Sequence, residues 1–366
     1  MNILLVNLGR HYGGAETITE KLLYEIKGEN INIYLVCIKD STLYNKNKKI
    51  SPLTLPQNKL LFISYFFKIL YYIYKYKIDI LHCHGVTSVI FGTLCAKISR
   101  RNVITTVHGR ADYDRNQSFS GEVKNKLEKA FLKLNDKCVS VSKYMNDYLI
   151  DEGVKKSNAV LIYNDIGVKN HNIDSKKIDF DFISNDIFTI ACIGRLERVK
   201  GQKYLVMAMK KLVEDNLKIN CIIAGEGSDR QTLEEEIKEN NLDEYIKLIG
   251  YIDDTEDLIS KVNLVVVPSV MESFGIVILE GMKEKKCVIA SNVGGIPELI
   301  NDEQTGYLVE PCNVEQLYSQ IRYCYKNIDK TKLIGEKAYE YYVGNWQLDK
   351  MTKSYVNLYT SLYRRK

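Results

Sequence analysis

The sequence predicts an α/β protein with two domains in series, each built around a parallel β-sheet. Short apolar runs of strand length alternate with helical patterns along most of the chain, which is typical of βαβ units. A polar, lysine-rich segment over residues 168–186 interrupts this alternation. The 366 residues, 45% of them hydrophobic, suffice for two cores at about 150 residues per domain. We therefore predict a first domain over 1–167, a linker over 168–186 and a second domain over 187–346.

The first domain contains six predicted strands, most of them separated by helical patterns. The first strand leads into a turn with two glycines and then into a helix expected over about residues 15–26. Because helices join consecutive strands, the sheet should be parallel. The predicted strands are residues 3–7, 31–38, 78–83, 103–107, 137–141 and 159–162.

The second domain repeats this pattern. Its first strand is followed by a helix predicted over 202–212, and Pro297 is suited to the first turn of a short helix later in the domain. From residue 314 onward the pattern is helical, with a break near Gly344 and Asn345. The predicted strands are residues 187–193, 219–224, 246–249, 264–267, 287–290 and 307–309.

The composition excludes several classes of protein. The chain has 51 Lys and Arg against 46 Asp and Glu, and a net charge of +5 is too small for a nucleic-acid-binding face. Its 9 cysteines include no CxxC pair and mostly lie in apolar runs, which is typical of reduced core residues. No secretory signal precedes the first strand, and no apolar run has the length of a membrane span. We expect a cytoplasmic protein without a nucleic-acid partner.

A glycine-containing turn follows the first strand of each domain. In the first domain Gly13 and Gly14 let backbone N–H groups approach a phosphate or sugar oxygen ahead of a helix. A tight turn that needs positive φ explains these glycines equally well, and both interpretations stay open. In the second domain the turn holds Arg195 and Lys200. Cations at a helix N-terminus oppose the helix dipole, which favours a bound anion such as a diphosphate over a solvated loop.

Two carboxylates eight positions apart mark the most informative segment. A strand ends at Pro268, and a helix is expected to begin near Phe274 and Gly275. Glu272 then lies in the loop above the helix N-terminus, whereas Glu280 lies more than one turn inside an otherwise apolar helix. A buried carboxylate is unfavourable without a specific partner, so we expect such a partner for Glu280. Carboxylates are suited to accept hydrogen bonds from sugar hydroxyls.

Histidines follow two strands of the first domain. His84 and His108 stand at the carboxyl ends of predicted strands, where ligands bind in parallel α/β sheets. His82 is expected in the core. A zinc site from these histidines lacks regular ligand spacing, and Asp253–Asp254 is better explained as a helix cap than as a metal-binding pair. We therefore predict no metal site.

These residues resemble the family 4 retaining glycosyltransferases, which have the GT-B fold. The resemblance covers nearly the whole chain and is most specific between Gly194 and Glu310. Glu272 and Glu280 match the E-x7-E pair of that family, and the residues after Gly194 match its G-R-L-x-x-x-K-G loop. The interdomain Asn-Gly-Val-Asp motif of many relatives appears here only as Asn-Asp-Ile-Gly, at residues 164–167.

The resemblance implies a role for each matching residue. Arg195 and Lys200 would contact the donor diphosphate, Glu272 the transferred sugar, and Glu280 the nucleotide ribose. The first-domain glycines would lie near the donor phosphates and the acceptor, and His108 would lie beside the sugar. Those glycines are Gly13 and Gly14. The remaining implied site residues are Ser273, Phe274 and Gly275, which lie between the two glutamates in sequence.

The resemblance also implies an architecture and a reaction. Two Rossmann-like domains would face a central cleft, with the first on the acceptor side, the second binding the nucleotide-sugar, and the C-terminal helix, 347–366, returning to the first. A hexose would pass from a nucleoside diphosphate sugar, by default a UDP-sugar, to a hydroxyl of a glycan or lipid-linked acceptor with retention of configuration. No metal or other cofactor is expected, because cations would stabilise the leaving diphosphate. The implied process is bacterial surface polysaccharide biosynthesis, such as capsule or lipopolysaccharide assembly.

Three other functions fit these residues less well. A nucleotide-sugar epimerase or glycan phosphorylase on the same fold is not suggested by the E-x7-E context. A catalytically inactive GT-B subunit that binds a partner or a membrane should lack Glu272, Arg195 or Lys200, and all three are present. An NAD-dependent enzyme should show G-x-G-x-x-G and an acidic residue after the second strand, where only Asp40 stands.

The segment 58–77 has two open interpretations. As a helix it would be apolar or aromatic nearly all round, apart from Lys59, Lys68, Lys75 and Lys77. It can pack on the sheet with its lysines extended to water, as helices do in any doubly wound domain. It can also bind anionic lipid head groups, which predicts peripheral attachment to the inner face of the cytoplasmic membrane.

Overall fold

The chain forms two compact units, each built on one sheet. A computed structural model describes residues 1–9, 13–26, 30–57, 62–110, 119–166, 182–184, 186–346 and 350–364. Unit 1 combines Met1–Asn164 with Asp349–Lys366, and unit 2 is Asp165–Leu348. Most of the predicted linker, 168–186, lies outside the described residues. Both sheets are parallel and carry helices between their strands, so the predicted α/β class with two Rossmann-like halves is confirmed.

Unit 1 has a parallel sheet with the strand order β3-β2-β1-β4-β5-β6-β7. Its strands are β1 (Asn2–Asn7), β2 (Asn32–Ile38), β3 (Leu53–Leu55), β4 (Ile80–His84), β5 (Asn102–Val107), β6 (Lys137–Ser140) and β7 (Ala159–Leu161). Its helices are α1 (Gly14–Glu25), α2 (Thr42–Lys46), α3 (Phe62–Lys75), α4 (Val86–Ile98), α5 (Phe119–Leu132), α6 (Lys143–Asp151) and α13 (Lys350–Tyr363). Strand β3 was missed in the sequence because it is short and lies between two prolines, Pro52 and Pro56.

Unit 2 has a parallel sheet with the strand order β10-β9-β8-β11-β12-β13. Its strands are β8 (Phe188–Ile193), β9 (Ile219–Ala224), β10 (Ile246–Gly250), β11 (Leu264–Val267), β12 (Cys287–Ser291) and β13 (Tyr307–Val309). Its helices are α7 (Gln202–Glu214), α8 (Arg230–Glu239), α9 (Thr255–Lys261), α10 (Ile276–Lys283), α11 (Val314–Lys326) and α12 (Ile328–Asn345).

The strand order reverses direction once in each sheet. The reversal lies between β1 and β4 in unit 1 and between β8 and β11 in unit 2. At such a reversal the loops that follow the two central strands diverge to opposite sides, which leaves a crevice at their carboxyl ends. Each unit therefore has one position at which its fold favours a ligand.

The central strands are almost entirely buried because helices cover the faces of each sheet. All six residues of β9 are buried, as expected for a central strand of a covered parallel sheet. Eight of the 9 cysteines are buried, as predicted for core residues, and Cys312 is exposed. Within the described residues, no helix has the length and apolar character needed to cross a membrane.

The C-terminal helix α13 packs on the sheet of unit 1, as the resemblance implies. Its Tyr359 hydroxyl lies 2.7 Å from His82 Nδ1, and its Tyr355 hydroxyl lies 2.8 Å from Thr106 Oγ1. His82 Nε2 lies 2.8 Å from the same threonine hydroxyl, so the four side chains form one buried network. The predicted core position of His82 is confirmed.

Candidate active site

Two loops follow the adjacent strands β8 and β11 at the reversal point of unit 2. We call residues 194–201 the Arg195 loop and residues 268–275 the Glu272 loop. The backbone N–H of Val270 donates to the carbonyl oxygen of Val199 at 2.9 Å, which joins the loops directly. Gly201 has a φ of +68°, and a Cβ there would lie 2.1 Å from the carbonyl oxygen of Pro268. Only glycine therefore allows the loops to approach this closely.

A third loop, which follows β12, supports the Glu272 loop from the other side. The N–H of Gly295 donates to the carbonyl oxygen of Glu272 at 3.0 Å. The preceding Gly294 has a φ of +56°, and a Cβ there would lie 1.9 Å from that same oxygen. The short 3₁₀ helix Ile296–Glu298 then begins with Pro297 in its first turn, as predicted. The backbone of Glu272 is thus held by an adjacent turn that requires glycine.

The side chains of Lys200 and Glu272 form an ion pair between the two loops. Lys200 Nζ donates to Glu272 Oε2 at 2.6 Å. The lysine side chain is 22% exposed and the glutamate side chain 13% exposed. Both groups are therefore largely withdrawn from water but remain reachable by a ligand.

Arg195 pairs with a different carboxylate. Its Nη1 donates to both carboxylate oxygens of Glu197 at 3.0 Å, and its carbonyl oxygen accepts from Gln202 Nε2 at 2.8 Å. The two predicted cations thus lie in one loop, each with its own carboxylate. Glu197 was missed in the sequence analysis, although its position two residues after Arg195 was the available signal.

The Glu272 loop ends at the N-terminus of α10. Gly275 is the N-cap residue, with a φ of +97° and no side chain to cap the first backbone N–H groups. Such N–H groups, together with the helix dipole, favour a bound anion. The buried ring of Phe274 packs edge-to-face on Trp346 at 5.6 Å, and Ser273 is also buried. The side chains of the loop thus anchor it, and its backbone leads into the helix.

Glu280 is buried within α10, as predicted, and has the specific partner that burial requires. The residue is 7% exposed, and its Oε1 accepts from Thr255 Oγ1 at 2.9 Å. Thr255 begins α9, where Asp254 Oδ1 caps the helix by accepting from the N–H of Asp257 at 3.1 Å. This confirms the expected helix cap. The partner Thr255 was not identified from the sequence, because 25 residues separate it from Glu280.

The structure contradicts one of the two interpretations of the glycine turn in unit 1. Gly13 is the N-cap residue of α1 with a φ of −166°, an extended conformation that any residue adopts. The interpretation that a positive φ requires glycine is therefore wrong at Gly13. Gly14 is exposed and begins the helix, and no side-chain hydrogen bond caps this end. At the nearby Gly9, a Cβ would lie 2.2 Å from Glu16 Oε1, so that a larger residue would displace the end of this glutamate side chain.

His84 ends β4, beside the reversal point of unit 1, and His108 follows the adjacent strand β5. His84 Nδ1 and His108 Nε2 are 2.9 Å apart, and the ring of His84 also lies 4.3 Å from that of His82. Burial lowers the pKa of His82 to about 3 and that of His108 to about 4, and it holds the pKa of His84 well below its usual range. The three imidazoles are therefore neutral at pH 7 and serve as hydrogen-bonding groups. The described residues contain no group of three or more His, Cys, Asp or Glu placed to hold a metal ion.

Two protein families match consecutive parts of the sequence and together cover most of the chain. "Glycosyltransferase Family 4" matches residues 12–167, and "Glycosyl transferases group 1" matches residues 174–341. The first range contains the glycine turn and the histidines of unit 1. The second contains the Arg195 loop, the Glu272 loop and α10.

Individual proteins show the same similarity. The uncharacterized glycosyltransferase MJ1178 of Methanocaldococcus jannaschii is 30% identical over 268 residues, which are 72% of this chain and 70% of that protein. The O-antigen biosynthesis glycosyltransferase WclY of Escherichia coli is 28% identical over 298 residues, which are 79% of this chain and 80% of that protein. A crystal structure of Anabaena Alr3699/HepE in complex with UDP-glucose matches with a TM-score of 0.85 and 18% identity, covering 99% of this chain and 100% of that one. The last match shows a shared fold.

Proposed function

Because this chain belongs to the family 4 glycosyltransferases and has their GT-B fold, we propose that it is a retaining, metal-independent hexosyltransferase that uses a UDP-sugar. The acceptor is a hydroxyl of a glycan or of a lipid-linked glycan, and the process is bacterial surface polysaccharide biosynthesis. Two similar proteins support these choices. One carries UDP-glucose in its crystal structure, and the other is described as an O-antigen biosynthesis enzyme.

The ion pair between Lys200 and Glu272 is the observation that carries this proposal. It lies at the reversal point of the sheet, where the fold of unit 2 favours a ligand. Its two groups carry opposite charges, so they favour different parts of a nucleotide-sugar. The ammonium of Lys200 attracts a diphosphate oxygen. The carboxylate of Glu272 accepts hydrogen bonds from sugar hydroxyls but repels phosphate. A donor that places its diphosphate on the lysine and its sugar on the glutamate satisfies both.

Transfer of the sugar leaves negative charge on the diphosphate, and three groups of unit 2 are available to stabilise it. They are the Lys200 ammonium, the Arg195 guanidinium and the uncapped N–H groups at the start of α10. Because these charges and dipoles are fixed before the reaction, they need no reorganisation as charge develops. This arrangement supports transfer without a divalent metal.

The family resemblance supports the remaining assignments. Glu280 holds the nucleotide ribose through its carboxylate, which Thr255 keeps in a fixed orientation. His108, a neutral imidazole, donates or accepts a hydrogen bond at the sugar, and His84 fixes the orientation of its ring. Gly13 and Gly14 bring backbone N–H groups to the donor phosphates and the acceptor.

The experiment is a panel of UDP-sugars incubated with the protein, with and without an added glycan acceptor, and proton NMR of the products at early times. The sugar then passes either to a glycan hydroxyl or to water. The proposal expects release of UDP and a sugar product whose anomeric configuration is that of the donor. Release with the opposite configuration would contradict the retaining mechanism. Conversion of one UDP-sugar into another without release of UDP would indicate an epimerase, and no reaction with any nucleotide-sugar would indicate an inactive subunit.

A further inference from the structure

The outer face of helix α3 is a stripe of large apolar and aromatic side chains in water. Ile63 is 75% exposed, Phe67 62%, Tyr71 56% and Tyr74 61%. Their spacing of four, four and three positions places them along one side of the helix. We call these four residues the α3 stripe. Residues 58–61, the start of the segment considered in the sequence, lie outside the described residues.

The fold does not require this stripe, because the opposite face of α3 supplies the packing. Tyr65, Ile69 and Ile73 are buried on that face. The hydroxyl of Tyr65 donates to the carbonyl oxygen of Pro56 at 2.7 Å, and the hydroxyl of Tyr72 donates to the carbonyl oxygen of Thr54 at 3.1 Å. The helix is therefore anchored to β3 by one face. Single exposed apolar residues are common on protein surfaces, but the four on the other face lie side by side and form one apolar patch, which is typical of an interaction site.

The neighbouring helix α4 adds further exposed apolar residues. It packs against α3, with the rings of Tyr65 and Phe91 at 5.7 Å. On the outside of α4, Leu94 is 39% exposed and Ile98 is 55% exposed. Exposed apolar residues therefore occur on two helices that pack against each other.

The charge of residues 62–102 is mostly positive, although Lys97 forms an ion pair at 3.1 Å with Asp136, which lies outside this segment. Between residues 62 and 102 the sequence has one carboxylate, Asp79, which accepts from the N–H of Asn2 at 3.0 Å. Lys68, Lys75 and Lys77 are exposed beside the α3 stripe. The cations of this segment are Lys68, Lys75, Lys77, Lys97, Arg100 and Arg101.

We propose that the α3 stripe and its lysines bind the surface of an anionic lipid bilayer. Phe67 and Ile63 enter the boundary between head groups and acyl chains, the tyrosine hydroxyls stay at the head groups, and the lysines contact lipid phosphates. A second copy of the chain is a poorer occupant, because a two-fold contact would bring the same lysines of two copies together. An anionic bilayer is both apolar and negatively charged, which matches the surface.

The experiment is flotation of the full chain with vesicles of phosphatidylcholine alone and vesicles that also contain phosphatidylglycerol. Binding is expected only to the second kind, and it should weaken with salt. Replacing Lys68→Glu together with Lys75→Glu should lower binding by roughly tenfold or more, since each lysine adds about 1 kcal/mol near such a surface. Replacing Phe67→Ser together with Tyr71→Ser should lower it similarly. The matched control is Lys332→Glu with Lys337→Glu, two exposed lysines on α12, which should leave binding unchanged.

Several results would overturn this inference. They are absence of binding at low salt, equal binding to neutral vesicles, and equal loss in the control pair. A dimer that the Phe67→Ser and Tyr71→Ser variant converts to a monomer, without vesicle binding, would assign the surface to a second copy. Melting temperatures of all variants show whether each remains folded. Because vesicle binding is read without a sugar donor, its failure is distinct from failure of the proposed transferase activity.

Discussion

Lys200 and Glu272, 72 positions apart in sequence, meet in an ion pair of 2.6 Å between the loops that follow β8 and β11. Those strands are neighbours in the sheet and flank the point where the strand order reverses. Gly201 and Gly294 allow the surrounding backbone to approach closely enough for the pair to form. The position of one cation and one carboxylate is thus set by the topology of the sheet and by two glycines.

Changing Glu272 or Glu280 to glutamine should impair the enzyme in different ways. Glu272→Gln should chiefly lower kcat, because its partly exposed carboxylate contacts the transferred sugar. Glu280→Gln should chiefly weaken nucleotide binding, because its buried carboxylate holds the ribose. Calorimetry with free UDP and steady-state kinetics separate the two effects. Equal loss of UDP affinity in the two variants would contradict these roles.

Gly294→Ala should destabilise unit 2 and weaken nucleotide binding together. A Cβ at this left-handed position costs about 1–3 kcal/mol in backbone strain and also collides with the carbonyl oxygen of Glu272. Gly344→Ala is the matched control, because nothing lies within 4 Å of a Cβ there and the residue belongs to α12. The free energy of unfolding of the Gly344→Ala variant should be unchanged or raised by up to about 1 kcal/mol. Urea unfolding and UDP titration measure both quantities, and equal behaviour of the two alanine variants would refute the argument.

Periodicity and local signals predicted most of the elements that carry the site. The predicted strands at residues 219–224, 264–267 and 307–309 agree with the structure at both ends. The cap at Asp254 and the burial of Glu280 also followed from local rules. These features depend on a few neighbouring residues, which is why a single sequence contains them.

Contacts between distant residues could not be predicted in this way. The sequence indicates that Glu280 needs a partner, but only the packing of α9 on α10 brings Thr255 to it. The network from Thr106 to Tyr355, across 249 positions, likewise depends on how the chain folds back. Helical periodicity of residues 62–75 also left open which side of α3 faces water, and the structure places Tyr65 inside and Phe67 outside.

The buried histidines should make the fold sensitive to acid. The pKa of His82 is lowered to about 3 in the folded chain, against about 6.5 when unfolded. Below the unfolded value only the unfolded chain binds the proton, so stability falls as the pH falls. His82 alone should remove about 2 kcal/mol between about pH 7.5 and about pH 5. Urea unfolding at the two pH values tests this, and a midpoint that does not decrease would contradict it.

Proton NMR tests the same histidines directly. The chain has 5 histidines in all, and the signals of His82, His84 and His108 should not titrate between about pH 7.5 and about pH 5 in the folded state, because burial lowers all three pKa values. Assignment by single substitution identifies each signal. A titration of His108 near its usual pKa would show that the imidazole is not held neutral.

Activity should survive removal of divalent metal. The charge on the leaving diphosphate is stabilised by Lys200, Arg195 and the start of α10, so no metal is needed for that step. Transferase activity measured after EDTA treatment and buffer exchange should equal that of the untreated protein. Loss of activity that manganese or magnesium restores would contradict this mechanism.

The most direct test of the site is calorimetric titration of UDP into the wild type and three variants. Lys200→Ala and Arg195→Ala should each lose about 1.5–3 kcal/mol of binding free energy, the range for hydrogen bonds to charged groups. Lys210→Ala, which changes an exposed lysine towards the C-terminal end of α7, should bind UDP as the wild type does. Equal UDP affinity in all four proteins would show that the nucleotide does not bind at the ion pair of Lys200 and Glu272.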